Sequence, residues 1–577
     1  MQLKPLAAAL LPLMLIACTG EDGQDGQNGT NTASQVISLN ETGRYASGIF
    51  DQSAAEIVSY DTTTKQTFVV NANSGQIDVL DSEDPSQPSL VESLNIGADM
   101  HAAGDIADAA LVSAANSIAL SNGLIAIAVE AADKTDDGWV AFYKISDLSY
   151  LTSVQVGALP DMLTFTPDGN QVVVAIEGEP NDSYTIDPEG EIAIIDISWN
   201  GTTLNTTLTE LGFTDFNVGS TRHAELPTDK MVIDGFNASV AQSFEPEYIT
   251  VSGDGKTAYV ALQENNAIAV VDLETKQIDR IFGMGFKNHA IPGNEMDASQ
   301  KDGVNIKNWP VMGIYMPDTI ASMTFNGKTY LLTANEGDDR QDWLDNVTDQ
   351  TACEDAGYFF GDDGDGARCF DAFSAKDFHD DNGTPNDVSD DNVTLVDSEG
   401  NPFAATNGGF GEDNELRRLK FSYHTTVTQN GGTEFTKLYA YGGRSFSIYD
   451  AQTGQQVFDS GSAFETITAN LYGEEFNNDN AETTGDDRSD NKGPEPEALT
   501  IGQINGHTYA FIGLERMGGI MVYDVSNPYS PAFVQYVNNR DMTKQAQDDI
   551  NGDYGPEGFK FVSAEHSPNG KPLLIVG

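Results

Sequence analysis

Most of this chain reads as short runs that are apolar throughout or alternate apolar with polar, each closed by Gly, Asn, Asp or Pro. Runs this short predict strands, and the punctuation supplies their turns. A full unit runs from Glu247 to Ser252, turns at Gly253-Asp254-Gly255-Lys256, continues from Thr257 to Glu264, and turns again at Asn265-Asn266. Ala267 to Asp272 follows, and Ile278 to Ile281 makes a fourth strand. The same order recurs at Asp161–Phe165, Val172–Glu177 and Glu191–Asp196, and again at Glu497, His507–Glu515 and Ile520–Asp524. Turn chemistry repeats as well. The stretches Val79 to Val91 and Val522 to Val534 share an Asp, two Pro and a Val at the same offsets.

Four antiparallel strands per unit, repeated along a chain, predict a β-propeller. Units start near Glu56, Asn116, Asp161, Glu247, Asp318, Leu416, Glu497 and Glu557, the one near Leu416 being poorly defined. The expected fold is all-β: a single propeller over residues 36–577 with about seven four-stranded blades, six or eight being the alternatives. The chain stops at Ile575-Val576-Gly577 inside a second strand, so the final blade is expected to be incomplete unless a strand over Val36–Ile49 closes it. A tandem of β-sandwiches would explain the alternation but not the shared turns. Three insertions interrupt the repeat, near 198–243, 337–415 and 466–493. The last two are crowded with Asp, Asn and Gly and predict acidic loops.

Aligning the units produces two columns of acids. Glu56, Asp161, Glu247, Asp318, Glu497 and Glu557 precede the innermost strand, with Pro160, Pro246, Pro317, Pro496 and Pro556 just before five of them. Glu130, Glu177, Glu264, Glu336 and Glu515 end the next strand. Equivalent positions of a propeller lie on a circle, and antiparallel pairing brings the end of the second strand beside the start of the first. Both columns are therefore expected at one mouth of the channel. Like charges so close need a hard cation, an Arg partner or raised pKa values. Calcium suits them, since it takes six to eight oxygens in flexible geometry. The expected metal ligands are Asp161, Glu177, Glu247, Glu264, Asp318, Glu336, Glu497, Glu515 and Glu557. Arg340, Arg444 and Arg516 follow strands near this face and are the candidates to compensate the charge.

Composition sharpens this picture. Asp and Glu number 89 against 29 Lys and Arg, a formal net charge of −60. Such a polyanion repels nucleic-acid phosphates and suits cations. Asp362-Asp363-Gly364-Asp365-Gly366 lacks the later Glu of an EF-hand loop, and Asp380–Asp391 and Asn477–Asp490 are similar acidic runs. The seven His are scattered, and no Gly-x-Ser-x-Gly elbow, His-Glu-x-x-His helix or Walker loop occurs.

The N-terminus addresses the chain. Lys4 precedes an apolar run, Leu6–Ala17, too short to remain as a membrane span. Leu15-Ile16-Ala17-Cys18 resembles a bacterial lipobox, which implies cleavage of residues 1–17 and a diacylglycerol on Cys18. Thr19 stands where an inner-membrane retention signal would carry Asp, so the resemblance implies an outer-membrane lipoprotein, its face of the membrane undetermined. Residues 18–35, with Gly at every third position from Gly20 to Gly29, read as a polar tether. The two other cysteines, Cys353 and Cys369, are expected to form a disulfide in an oxidising compartment.

Several motifs carry a family resemblance. Leu159-Pro160-Asp161-Met162-Leu163-Thr164-Phe165-Thr166-Pro167-Asp168-Gly169, Glu177-Gly178-Glu179-Pro180-Asn181-Asp182, Thr333-Ala334-Asn335-Glu336-Gly337-Asp338 and Gly442-Gly443-Arg444-Ser445-Phe446-Ser447-Ile448 resemble bacterial choice-of-anchor I proteins. The resemblance spans nearly the whole chain after the tether and implies a propeller with variable surface anchoring, which the lipobox would satisfy. Some members carry alkaline-phosphatase or phytase-like labels. The leading expectation is an anchored propeller that binds calcium and a protein or glycan ligand at its acidic mouth. The alternative is a calcium-dependent phosphoesterase acting on phosphate esters, with Arg444, Arg516 and Arg340 as candidate catalytic residues.

Overall fold

The computed structural model describes residues 37–577 except 51, 363–365, 378–393, 398, 402, 404–406, 430–433 and 546–551. The signal segment, Cys18 and the tether lie outside the described residues.

Six four-stranded antiparallel sheets follow one another along the chain. The first holds β1 (Val58–Asp61), β2 (Gln66–Asn71), β3 (Gln76–Asp81) and β4 (Ser89–Leu94). The second holds β5 (Val112–Ser121), β6 (Leu124–Ala131), β7 (Asp137–Lys144) and β8 (Tyr150–Ala158). The third holds β9 (Pro160–Phe165), β10 (Gln171–Ile176), β11 (Glu191–Trp199) and β12 (Leu204–Gly212), and the fourth β13 (Pro246–Val251), β14 (Thr257–Leu262), β15 (Ala267–Asp272) and β16 (Gln277–Gly283).

The chain then leaves the ring through β17 (Phe286–Asn288) and β18 (Val311–Ile314) and returns as β19 (Ile320–Phe325) and β20 (Lys328–Asn335). A long excursion carries β21 (Phe359–Asp362), β22 (Ala367–Phe370), β23 (Ala372–Phe373), β24 (Thr394–Leu395), β25 (Phe421–Ser422), β26 (Val427–Gln429) and β27 (Glu434–Tyr441). Only then do β28 (Ser445–Asp450) and β29 (Gln455–Asp459) complete the fifth blade, in the order β19-β20-β28-β29. The sixth is β30 (Pro496–Ile504), β31 (His507–Leu514), β32 (Ile520–Asp524) and β33 (Ala532–Val537). A two-stranded sheet, β34 (Phe559–Val562) with β35 (Leu573–Val576), packs between β30 and β1. The ring thus has seven positions, six filled by complete blades and one by half a blade.

Two expectations are corrected. The unit near Leu416 is no blade. Leu416, Leu419, Phe421, Phe435 and Leu438 join Met296, Trp309, Val311 and Phe373 in a separate core. There β27 pairs in parallel with β18, so this apolar run serves the excursion and not the ring. Residues 37–49 hold no strand; Arg44 instead pairs with Asp553 at 2.9 Å, and Tyr45 packs on Val58, Val69 and Leu80.

Burial explains which runs look continuous and which alternate. Middle strands are sandwiched between neighbouring blades, so Val172 to Ile176 is buried on both faces and uniformly apolar. Outer strands meet water on one face, and β12 alternates accordingly. The core is a series of interblade layers, such as Val173, Ile192 and Ile194 against Val260, Ala269 and Val271 between the third and fourth blades. Full burial of each Val or Ile contributes ~1.5–3 kcal/mol. The Pro-Asp-Gly turn works as its residues dictate. The Thr166 hydroxyl donates to Asp168 at 2.8 Å, and Gly169 takes φ +72°, which a side chain would strain. In the excursion a disulfide joins Cys353 to Cys369, Cα atoms 5.6 Å apart.

Candidate functional site

The acid columns are aimed by a local irregularity. Each of β9, β13 and β30 starts with a Pro paired to the end of the next strand, and the register slips within the following three residues: Pro160 faces Ile176, Pro246 faces Leu262 and Pro496 faces Leu514. A bulge at a strand's start frees the residue after the Pro from the ladder. That residue is Asp161, Glu247 or Glu497. The residue before the Pro is strained in two of these blades and in the fifth, where Leu159, Met316 and Glu495 take φ of 53°, 43° and 49°. The ends of the second strands are tied to these corners: the Glu177 amide donates to the Leu159 carbonyl at 2.9 Å, and the Glu515 amide to Glu495 at 2.8 Å.

The nine expected acids share one end of the ring. Asp161 lies in the field of Glu179, Glu56, Glu264 and Glu130, and Glu247 in that of Asp318, Glu264, Glu177 and Asp161. Glu497 feels Glu515, Asp318, Glu557 and Glu336, and Glu557 feels Glu56, which closes the circle. Burial is the chief cause of their raised pKa values, and mutual repulsion adds to it. Asp161, Glu264 and Glu557 are pushed up to about 7 and Glu515 to about 8, while Glu177, Glu247, Asp318 and Glu497 lie well above the carboxylate range. Glu336 is raised by burial too, but Lys492 opposes the rise.

Two triads stand out, and they differ in kind. Glu177, Glu247 and Glu264 bring carboxylate oxygens within 4.8 Å of one another, as do Glu336, Glu495 and Glu515. The second triad is neutralised by protein cations. Lys492 reaches Glu336 at 2.7 Å and Glu495 at 3.4 Å, Arg488 reaches Glu495 at 2.7 Å, and Arg516 reaches Glu515 at 3.1 Å and Glu495 at 3.3 Å. The Gln263 amide donates to the other oxygen of Glu336 at 2.9 Å. Glu495 accordingly titrates at about 2: the three cations overcome its burial. No ion pair reaches the first triad among the described residues, and Glu247 Oε2 and Glu264 Oε2 are buried without a hydrogen-bonding partner. Glu497 Oε2 is likewise unpartnered. A cavity of about 330 Å³ is lined by Lys134, Glu179, Asp182, Asp338, Asp339 and Trp343. Two of its acids, Glu179 and Asp338, act electrostatically on Glu264.

The three arginines divide differently from expectation. Arg340 is buried and engaged: its Nε donates to Asp234 at 2.9 Å, Nη1 to Glu245, and Nη2 to the Ser243 carbonyl at 2.9 Å. Arg444 is buried too. Its Nη1 donates to the Asp297 carbonyl at 2.6 Å and to Glu465 at 2.7 Å, and Nη2 to the carbonyls of Ser489 at 2.8 Å and Asn491 at 2.7 Å. Neither is placed to hold a phosphate. Arg516, 30% exposed, remains at the mouth beside Glu515. Sequence reasoning missed Glu495, Lys492 and Arg488. The signal was present, since Glu495-Pro496-Glu497 carries an acid on each side of the Pro, but the column was read on one side only.

The fold and the site define a β-propeller whose ring is rimmed by carboxylates at one end. The chain belongs to the choice-of-anchor I family, whose domain model matches residues 56–528, and is accordingly a surface-associated propeller protein. It is 32% identical over 151 residues to Gigasin-3a of Magallana gigas, covering 24% of this chain and 53% of that protein. It is 26% identical over 350 residues to the mesenchyme-specific cell surface glycoprotein of Strongylocentrotus purpuratus, covering 57% and 42%. The chain thus spans about half the length of the curated relatives it matches. Among solved structures, hydrazine synthase of Kuenenia stuttgartiensis aligns over 92% of this chain and 99% of its own, at 11% identity and a TM-score of 0.40.

Proposed function

We propose that this protein is a lipid-anchored surface propeller that binds calcium at its acidic mouth and presents the calcium-loaded mouth to a protein or glycan ligand. The observation that carries the reading is the triad Glu177, Glu247 and Glu264, whose oxygens converge while two buried ones have no donor. A buried acceptor left unpaired is costly, and a divalent ion removes that cost. The donor set fits calcium: it is all carboxylate oxygen, with three side chains able to bind through one or both oxygens and Asp161 close by. No Cys or His belongs to the triad, which disfavours softer metals. When bound, calcium would supply positive charge and open coordination positions to a ligand's oxygens. Anchoring at Cys18 and an outer-membrane address rest on Leu15-Ile16-Ala17-Cys18. The name of the Strongylocentrotus purpuratus relative, a cell surface glycoprotein, agrees with a surface role.

The phosphoesterase reading is less well supported, because Arg340 and Arg444 spend their guanidinium groups on protein acceptors. Calcium titration by calorimetry tests the proposal. Wild-type protein should bind at the mouth, and Glu247→Gln and Glu264→Gln should each weaken that binding at least tenfold. Unchanged binding in both variants would refute it.

A further inference from the structure

A second oxygen-rich web joins the segment Asp297–Asn305 to the 466–493 insertion, and no mouth acid is among the charges raising its members. Its hydrogen bonds can be traced one by one. Asp297 accepts from the Ser299 amide at 3.2 Å and from the Asn305 amide, whose side-chain Nδ2 donates to Asp302 Oδ2. Asp486 Oδ1 accepts from the Ser489 hydroxyl at 2.6 Å. Asn477 Nδ2 donates to the same hydroxyl at 2.9 Å and to Glu465 Oε1 at 2.8 Å. The Gln300 amide reaches Asp487 Oδ1 at 3.3 Å, tying the two segments together.

When these bonds are assigned, four buried oxygens are left over: Asp302 Oδ1, Asp486 Oδ2, Asn477 Oδ1 and Glu465 Oε2. Asn477 is fully buried, Glu465 is 1% exposed and Asp486 is 4% exposed. The Asn477 oxygen is telling because it is neutral, so its lack of a donor is not one more case of surface acidity. Charge points the same way. Asp297, Asp302, Asp486 and Glu465 are four acids, and Arg444 pairs with Glu465 alone among them. Asp297 is raised to about 7, chiefly by burial and then by Glu465 and Asp302. Asp486 is raised to about 8, chiefly by burial and then by Asp297 and Asp302, despite help from the Ser489 hydroxyl and the Gly303 amide. Lys307 acts on Asp302 only at a distance.

We propose that this web is a second, structural calcium site, with Asp302, Asp486 and Asn477 supplying ligand oxygens and Asp297 and Glu465 the remaining charge. The ion would hold the 297–305 segment against the insertion that carries Lys492 and Arg488 to the mouth. An oxygen-only donor set with both charged and amide groups is the chemistry of a hard divalent cation.

The test uses the whole mature protein. Calorimetry should show that Asp486→Asn and Asp302→Asn each lose one calcium equivalent, or weaken it at least tenfold, while Glu247→Gln leaves that equivalent intact. Loss at the mouth and loss here are thus separable, and either proposal can fail alone. Trp309 offers a local probe, because its indole donates to the Met296 carbonyl next to Asp297. In a Glu247→Gln/Glu264→Gln background, terbium emission excited through tryptophan should fall several-fold in Trp309→Phe. Asp302 lies in a partly exposed position, so its variant remains informative if Asp486→Asn fails to fold. Full calcium stoichiometry in natively folded Asp302→Asn, or unchanged terbium emission in Trp309→Phe, would overturn the proposal.

Discussion

Replacing Glu264 by Gln should stabilise the metal-free protein and lessen the stabilisation that calcium provides. Glu264 is 3% exposed, and burial pushes its carboxyl from the usual 4.5 to about 7, with Asp338 and Glu179 adding to the rise and Arg340 opposing it. In the unfolded chain the same group ionises near 4.5. Between those values the folded state holds a proton that the unfolded state has released, so stability falls as pH rises. The penalty is absent below about pH 4.5, grows up to about pH 7 and is complete above it. At ~1.4 kcal/mol per pH unit it amounts to ~3 kcal/mol. Gln has nearly the same shape and no proton to lose, so it escapes this term.

That free energy converts to a measurable shift. Unfolding entropy near ~2.1 cal/mol/K per residue, taken over the compact unit Leu39–Gly577, gives ~1.1 kcal/mol/K, so ~3 kcal/mol corresponds to ~3 °C. Scanning calorimetry in chelator should therefore find the variant ~3 °C more stable than wild type at pH 8 and equal to it near pH 4.5. Calcium at a hundred times its dissociation constant adds ~2.7 kcal/mol to wild type and ~1.4 kcal/mol to a variant that binds tenfold more weakly, so the variant's advantage shrinks as calcium is added. A variant that melts at or below wild type at pH 8 in chelator would refute the reasoning. So would a gap that stays the same from pH 5 to pH 8.

Three further outcomes are expected. Reducing Cys353–Cys369, which closes a loop of sequence separation 16, should cost ~3 kcal/mol in a urea titration, and neither thiol should alkylate in the native exported protein. Arg444→Ala should leave Glu465 buried and unpaired together with three carbonyl oxygens, and lower stability by ~3–5 kcal/mol; a urea midpoint equal to wild type would show that Arg444 is not holding the fold. Cys18→Ser should move the protein from the membrane to the soluble fraction on cell fractionation, and unchanged partitioning would exclude lipidation there.

The repeat was legible because blade strands report their burial directly. Val172 to Ile176 and Thr257 to Leu262 are apolar because two neighbouring blades cover them, and their Pro-Asp-Gly or Gly-Asp-Gly turns hydrogen-bond within themselves. The acid columns were legible for the same reason, since each belongs to a fixed place in the repeat. The excursion was not. Leu416 to Phe421 and Glu434 to Tyr441 have strand-like patterns, and nothing local tells a run that packs on Met296 and Trp309 from one that packs on the next blade. Arg444 misled for a related reason. It follows a strand, as Arg516 does, but its partners are carbonyls of residues 297, 489 and 491, which no local pattern connects to it.

The mouth is nearly symmetric in sequence and markedly asymmetric in charge, and the insertions make the difference. Glu177 and Glu515 hold equivalent positions at the ends of β10 and β31, and each amide is tied to the residue before a Pro. In the sixth blade that residue is Glu495, and the insertion delivers Lys492 and Arg488 to it. In the third it is Leu159, and among the described residues no ion pair reaches Glu177. Arg340, which acts electrostatically on Glu264, is held by Asp234 and Glu245. The pairing of Glu245 with Arg340 therefore has two effects: it gives Glu245 Oε1 a donor, though Oε2 has none, and it keeps Arg340 from neutralising Glu264 directly. Were Glu245 a leucine like residue 159, Arg340 Nη1 would lose its acceptor while Nε kept Asp234 and Nη2 the Ser243 carbonyl, and pairing of that freed nitrogen with Glu264 would make the triad a second ion-pair network like that at Lys492. The calcium reading thus depends on a residue that need not touch the ion, and Glu245→Leu should weaken calcium binding at the mouth though all three triad carboxylates remain. Unaltered affinity in a folded Glu245→Leu protein would mean that Arg340 has no such freedom, and that the triad's lack of a cation is fixed by backbone position alone.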